Sequence, residues 1–109
     1  MTREFAGTLK ERILIERPVA SRTAMGLQED GWEKVCRALA SIEPDGAGAE
    51  AEAQALSVMP RFRVTMRPRD GIAVGQRVTW QEMQLMVRQL LANPREPDRI
   101  VLRCEQVRL

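Results

Sequence analysis

Arg61-Phe62-Arg63-Val64-Thr65-Met66-Arg67 is the stretch on which the reading of this chain turns. Successive side chains of an extended strand point to opposite faces, so Phe62, Val64 and Met66 share one side while Arg61, Arg63, Thr65 and Arg67 share the other. A strand with one apolar and one charged face must bury the apolar side against partners of the same kind. The chain supplies them on both flanks. Downstream, Pro68-Arg69-Asp70-Gly71 is a turn, and Val74 to Trp80 is a further strand in which Gly75 suggests a bulge. Asn93 to Asp98, with two prolines, makes a rigid turn before Ile100, Leu102 and Cys104 alternate with Val101, Arg103 and Glu105.

Upstream, Ala38, Ala40 and Ile42 oppose Arg37, Leu39, Ser41 and Glu43 in a strand from Trp32 that Pro44 ends. Lys10 to Arg17 alternates in the same way, and Pro18 is expected to stop it. Ser21 to Gly31, with Gly26 and Gly31, then reads as the loop of a wide hairpin. Glu82 to Leu91 reads two ways. Met83, Met86, Val87, Leu90 and Leu91 fall at helical spacing among good helix formers, yet pairing in a sheet overrides local propensity in short segments, and a strand is expected there. The sum is a mainly β chain, a small antiparallel β-barrel or sandwich of five to six strands. One domain is expected over residues 1–109, with an extended, mobile loop at about 44–58 rich in Gly, Ala and Glu and nearly without bulky side chains.

Composition narrows the function. Histidine is absent, so the commonest general base and metal ligand are missing, and Cys36 and Cys104 are too far apart for a redox pair. Neither a catalytic group, a metal site nor a cofactor site is expected. Both cysteines fall in strand-like segments and read as buried free thiols. Trp32 and Trp80 read as packing anchors, since the chain has four aromatic residues in all and no tyrosine. The first residues lack the pattern of a secretory signal and no stretch has the apolar length of a membrane span, so no membrane partner is expected. The net charge of +2 conceals an asymmetry: residues 1–58 carry seven basic and ten acidic groups, residues 59–109 ten basic and five acidic. Such a division suits contact between copies, acidic half to basic half.

Several features keep a fixed order: Gly7-Thr8-Leu9, Arg12-Ile13, Gly26, Trp32, Ala40-Ser41-Ile42-Glu43-Pro44, the Gly/Ala/Glu loop, Val64-Thr65-Met66-Arg67, and Arg77-Val78. In that order over nearly the whole chain they resemble the phage head-tail joining family, the head-tail adaptor or head-closure (stopper) proteins. The resemblance implies a non-enzymatic structural connector of a tailed phage or phage-like particle, joining the portal vertex to the tail. It implies a ring homo-oligomer, with a portal or adaptor protein on the head side, a tail terminator or tail tube protein on the tail side, and packaged DNA in the channel. The place of action would be the virion or phage-like particle, assembled in the bacterial cytoplasm.

Two groups of residues are candidates for contact. Arg61, Arg63, Arg67, Arg69 and Arg77 form the exposed basic feature and are expected to serve a ring or partner interface. Asp45, Glu50, Glu52 and Gln54 belong to the loop expected to face a neighbour or the channel, where negative charge repels passing phosphates. The alternative reading is a small β-barrel nucleic-acid-binding module that uses the arginine-rich strand face.

Overall fold

The computed structural model describes Phe5 and residues 7–23, 26–45 and 59–107, with backbone alone over residues 20–23 and 26–30. Six strands follow one another: β1 (Glu11–Thr23), β2 (Gly26–Pro44), β3 (Arg61–Met66), β4 (Arg77–Trp80), β5 (Met83–Leu91) and β6 (Ile100–Gln106). They form one antiparallel sheet that closes on itself in the order β1-β2-β3-β6-β5-β4. The ring is irregular, because β1 meets β4 only over Leu14 to Glu16.

The alternation around Val64 places the core as expected. Val64 and Met66 of β3, Ile100, Leu102 and Cys104 of β6, and Ile13 and Ile15 of β1 are buried together with Ala40, Val78, Leu85 and Val87. Phe62 and Trp80 pack on this core and meet edge to face with ring centroids 5.7 Å apart, an arrangement favoured by the ring quadrupoles. The Trp80 indole Nε1–H donates to the Glu11 carboxylate at 2.8 Å. Cys36 and Cys104 are free and buried, and burial pushes the Cys104 thiol up to about 12.

Three local expectations are corrected. Pro18 does not stop β1, and Ser21 to Gly31 is not a loop: the two strands stay in register out to Thr23↔Gly26. Proline is tolerated because β4 leaves β1 at Glu16, so no second ladder needs the missing N–H. The result is a two-stranded ribbon, residues 17–23 against 26–33, that extends beyond the closed sheet by roughly 20 Å. The third correction concerns Gly75, which lies in a turn at φ 92° rather than in a strand bulge, so β4 begins at Arg77. The strand expected over 82–91 is present as β5, and the helical spacing within it has a local cause. Leu85 and Val87 point inward, then a register shift lets Arg88 bulge out, and Leu90 resumes opposite Leu102. One extra residue in an alternating pattern mimics a helical interval. The turn before β5 is made by Gln81 (φ 54°) and Glu82 (φ 78°), the doubly left-handed geometry of the tightest hairpins, between the paired Trp80 and Met83.

The connection from β3 to β4 is held by Gln76, a buried polar side chain. Its Oε1 accepts from the Ala73 backbone N–H at 3.0 Å and its Nε2 donates to the Gly71 carbonyl at 2.6 Å. Gly71 sits at φ 91°, a left-handed conformation that favours glycine.

Candidate functional site

Register decides what the arginines do. On β3 and β6, Arg61 lies directly opposite Glu105 and Arg63 directly opposite Arg103. The first pair attracts, at 3.7 Å. The second would repel, since like charges across neighbouring strands are destabilising. Asp45, the first residue after β2, resolves the conflict: its Oδ2 accepts from Arg103 Nε at 2.8 Å and its Oδ1 lies 3.7 Å from Arg63. The Asp45 backbone N–H donates to the Arg61 carbonyl, which fixes the carboxylate over the two guanidinium groups with 5% of its side chain exposed.

Glu105 is shared in the same way between Arg61 and Arg88, the residue that the β5 bulge turns outward, at 3.7 and 3.2 Å. Arg103 also donates to the Gln89 Oε1 at 3.3 Å. A groove of about 540 Å³ runs among Asp45, Arg61, Arg88, Gln89, Arg103 and Glu105. Among the described residues this face sets four guanidinium groups against two carboxylates. Its chemistry suits recognition of carboxylate or phosphate by forked donors.

The remaining predicted arginines lie elsewhere. Arg77 is half-buried on β4, where it donates to Glu16 through Nε and Nη2 (3.1 and 2.7 Å) and stacks over Trp32 at 4.2 Å. Arg67 extends toward the buried Phe5, whose ring also holds Arg99 at 3.9 Å, and Arg69 donates to the Arg37 carbonyl of β2 at 2.8 Å. The five arginines are therefore not one surface. Arg61 and Arg63 belong to the Asp45 groove, Arg77 to a cross-strand pair, and Arg67 and Arg69 to the far side of β2. Asp45 is at the root of the acidic loop with its side chain enclosed. Glu50, Glu52 and Gln54, and the mobility expected of that loop, lie outside the described residues.

Sequence reasoning missed Glu16, Arg88, Arg103 and Glu105 as charge partners and Gln76 as the loop's tether. The first four become visible only when register sets strand against strand. Gln76 had one local signal, a polar residue between two glycine turns and a strand.

These observations define a class: a six-stranded closed antiparallel sheet with an apolar interior, whose ionic groups are in large part tied to one another. The chain belongs to the phage head completion protein family, which it matches over residues 6–107. Membership gives it a structural role in the phage head at the point where head and tail join. Among solved structures it is similar to protein SF1141 from Shigella flexneri 2a, with a TM-score of 0.68 and 21% identity over 92% of this chain and 94% of that one. It is also similar to a chain in the virion of a native gene transfer agent particle, with a TM-score of 0.62 and 15% identity over 91% of this chain and 96% of that one. At such identities the two structures establish the shared fold. No curated protein sequence matches the chain.

Proposed function

We propose that this protein is a non-enzymatic connector subunit that completes the head by assembling as a ring at the portal vertex, presents a surface to the tail and lets packaged DNA pass. The observation that carries the reading is the extent of the family match, residues 6–107, which takes in all six strands. The likeness to a chain of a gene transfer particle's virion supports the same setting. The projecting β1–β2 ribbon supports assembly on physical grounds, because a two-stranded ribbon by itself is marginal in water and gains from a neighbour's surface.

The test is complementation of particles that lack the chain. DNA-filled heads without it should fail to join tails, and the purified protein should restore joining while adding several copies per vertex, counted by quantitative mass spectrometry. Normal tailed particles in its absence would refute the reading. Tight binding of the free chain to duplex DNA, with a steep loss of affinity on adding salt, would favour the nucleic-acid module instead.

A further inference from the structure

The arginines of this protein fall into two populations. Arg17, Arg61, Arg63, Arg77, Arg88, Arg99 and Arg103 each lie within 4 Å of a carboxylate. Arg12, Arg37, Arg67, Arg69 and Arg95 have no ion pair among the described residues, and all five are exposed. The first four lie on β1, β2 and the β3–β4 connection, yet they surround one spot. Leu39 of β2, 51% exposed, stands at its centre.

Two grooves meet at Leu39. One, of about 390 Å³, is lined by Leu9, Leu39, Arg67 and Arg69 among others. The other, of about 650 Å³, is lined by Arg12, Leu14, Arg37 and Leu39 among others. Among the described residues, neither lining contains a carboxylate. The geometry follows from register: Arg12 and Leu39 are direct cross-strand partners, as are Leu14 and Arg37, so all four point outward together. Arg69 reaches in from the β3–β4 connection and is held on the Arg37 carbonyl at 2.8 Å. Its guanidinium is thereby fixed at the edge that β2 leaves unpaired beyond Ala40.

We infer that this face is a docking site for a carboxylate-bearing polypeptide segment with an aliphatic side chain, supplied by another protein. Charge complementarity carries the choice of an acidic occupant: four unpaired guanidinium groups with no acid among them form a surface whose potential a string of Asp and Glu would neutralise. The centre argues for a polypeptide over nucleic acid. A half-exposed leucine with the half-buried Leu14 beside it offers apolar area that phosphates and sugars cannot use, while a leucine or similar side chain of a partner would bury it. The arginine rim then fixes register around that anchor. The inference stands whether or not the chain forms a ring.

The test uses the folded full-length chain and a fluorescein-labelled peptide, Glu-Asp-Leu-Leu-Asp-Glu, read by anisotropy. The expected result is saturable binding, weakened about tenfold or more in the amide counterpart Gln-Asn-Leu-Leu-Asn-Gln. The double variant Arg37→Glu/Arg69→Glu should lose about tenfold or more in affinity, Arg37→Gln/Arg69→Gln less, and Leu39→Ser several-fold. Arg95→Glu, which reverses one charge at an exposed position outside both grooves, should leave binding within about twofold, whereas Arg37→Glu alone should weaken it more. Circular dichroism checks that each variant is folded. Absence of saturable binding, or an equal loss with Arg95→Glu, would overturn the proposal. So would a short DNA duplex that displaces the peptide at equal concentration, which would make this a nucleic-acid face.

Discussion

Replacing Asp45 by asparagine tests whether the Asp45 groove holds the fold together or is a free surface awaiting a partner. The change keeps shape and one acceptor oxygen while removing the charge that separates Arg63 from Arg103, which lie directly opposite each other. A hydrogen bond to a charged group contributes about 1.5–3 kcal/mol. The 2.8 Å contact to Arg103 belongs at the upper part of that range by geometry, but the Arg103 side chain is 33% exposed, so solvent screening reduces it. Arg63 is 52% exposed and 3.7 Å away, and its share is under about 0.5 kcal/mol. The expected loss is about 1–2 kcal/mol, or roughly 5–15 °C in Tm for a domain of this size. Urea unfolding of Asp45→Asn, Arg103→Gln and the double variant gives the coupling directly, and about 1 kcal/mol is expected. The same cycle with Arg63→Gln should give less than half of that. Coupling below about 0.3 kcal/mol to Arg103, or stronger coupling to Arg63, would refute the account of a carboxylate clamped between facing strands.

Gln76→Ala should cost about 2 kcal/mol, because it removes the two side-chain hydrogen bonds that close the β3–β4 connection together with buried methylene area; amide exchange should quicken at Ala73 and stay unchanged in β6. Cys104, pushed up to about 12 by burial, should resist alkylation in the native protein at neutral pH and react on unfolding. Because its folded value lies above the ordinary value of 9.0, the unfolded chain releases that proton first, so this contribution to stability is complete below about pH 9 and is lost as pH rises toward 12. Cys104→Ala should flatten that part of the stability profile, measured by urea unfolding across the alkaline range.

How much of the molecule the sequence specified varies with the range of the interaction that decides each part. Alternation in Arg61 to Arg67 and in Ile100 to Cys104 was enough to name β3 and β6 and the buried side chains they contribute, because facing inward or outward in a strand is a property of neighbours two apart. The ordered features from Gly7 to Val78 carried the family. Absence of histidine bounded the chemistry available to the chain.

Local signals failed in the ribbon, and in β5 the helical spacing was rightly set aside for a strand, for one reason. Pro18 ends a strand only if both edges are paired, and the helical look of 82–91 holds only if Arg88 is in register; both conditions are set by strands distant in sequence. The charged surface was less legible still. Five arginines that share a stretch of sequence were divided among three surroundings, while Arg12 and Arg37 from the first third of the chain were brought beside Arg67 and Arg69. Sequence set the number and kind of charges. Which of them meet a carboxylate was decided by closure of the sheet, since ion pairing depends on separations of a few ångströms and register alone sets those between strands.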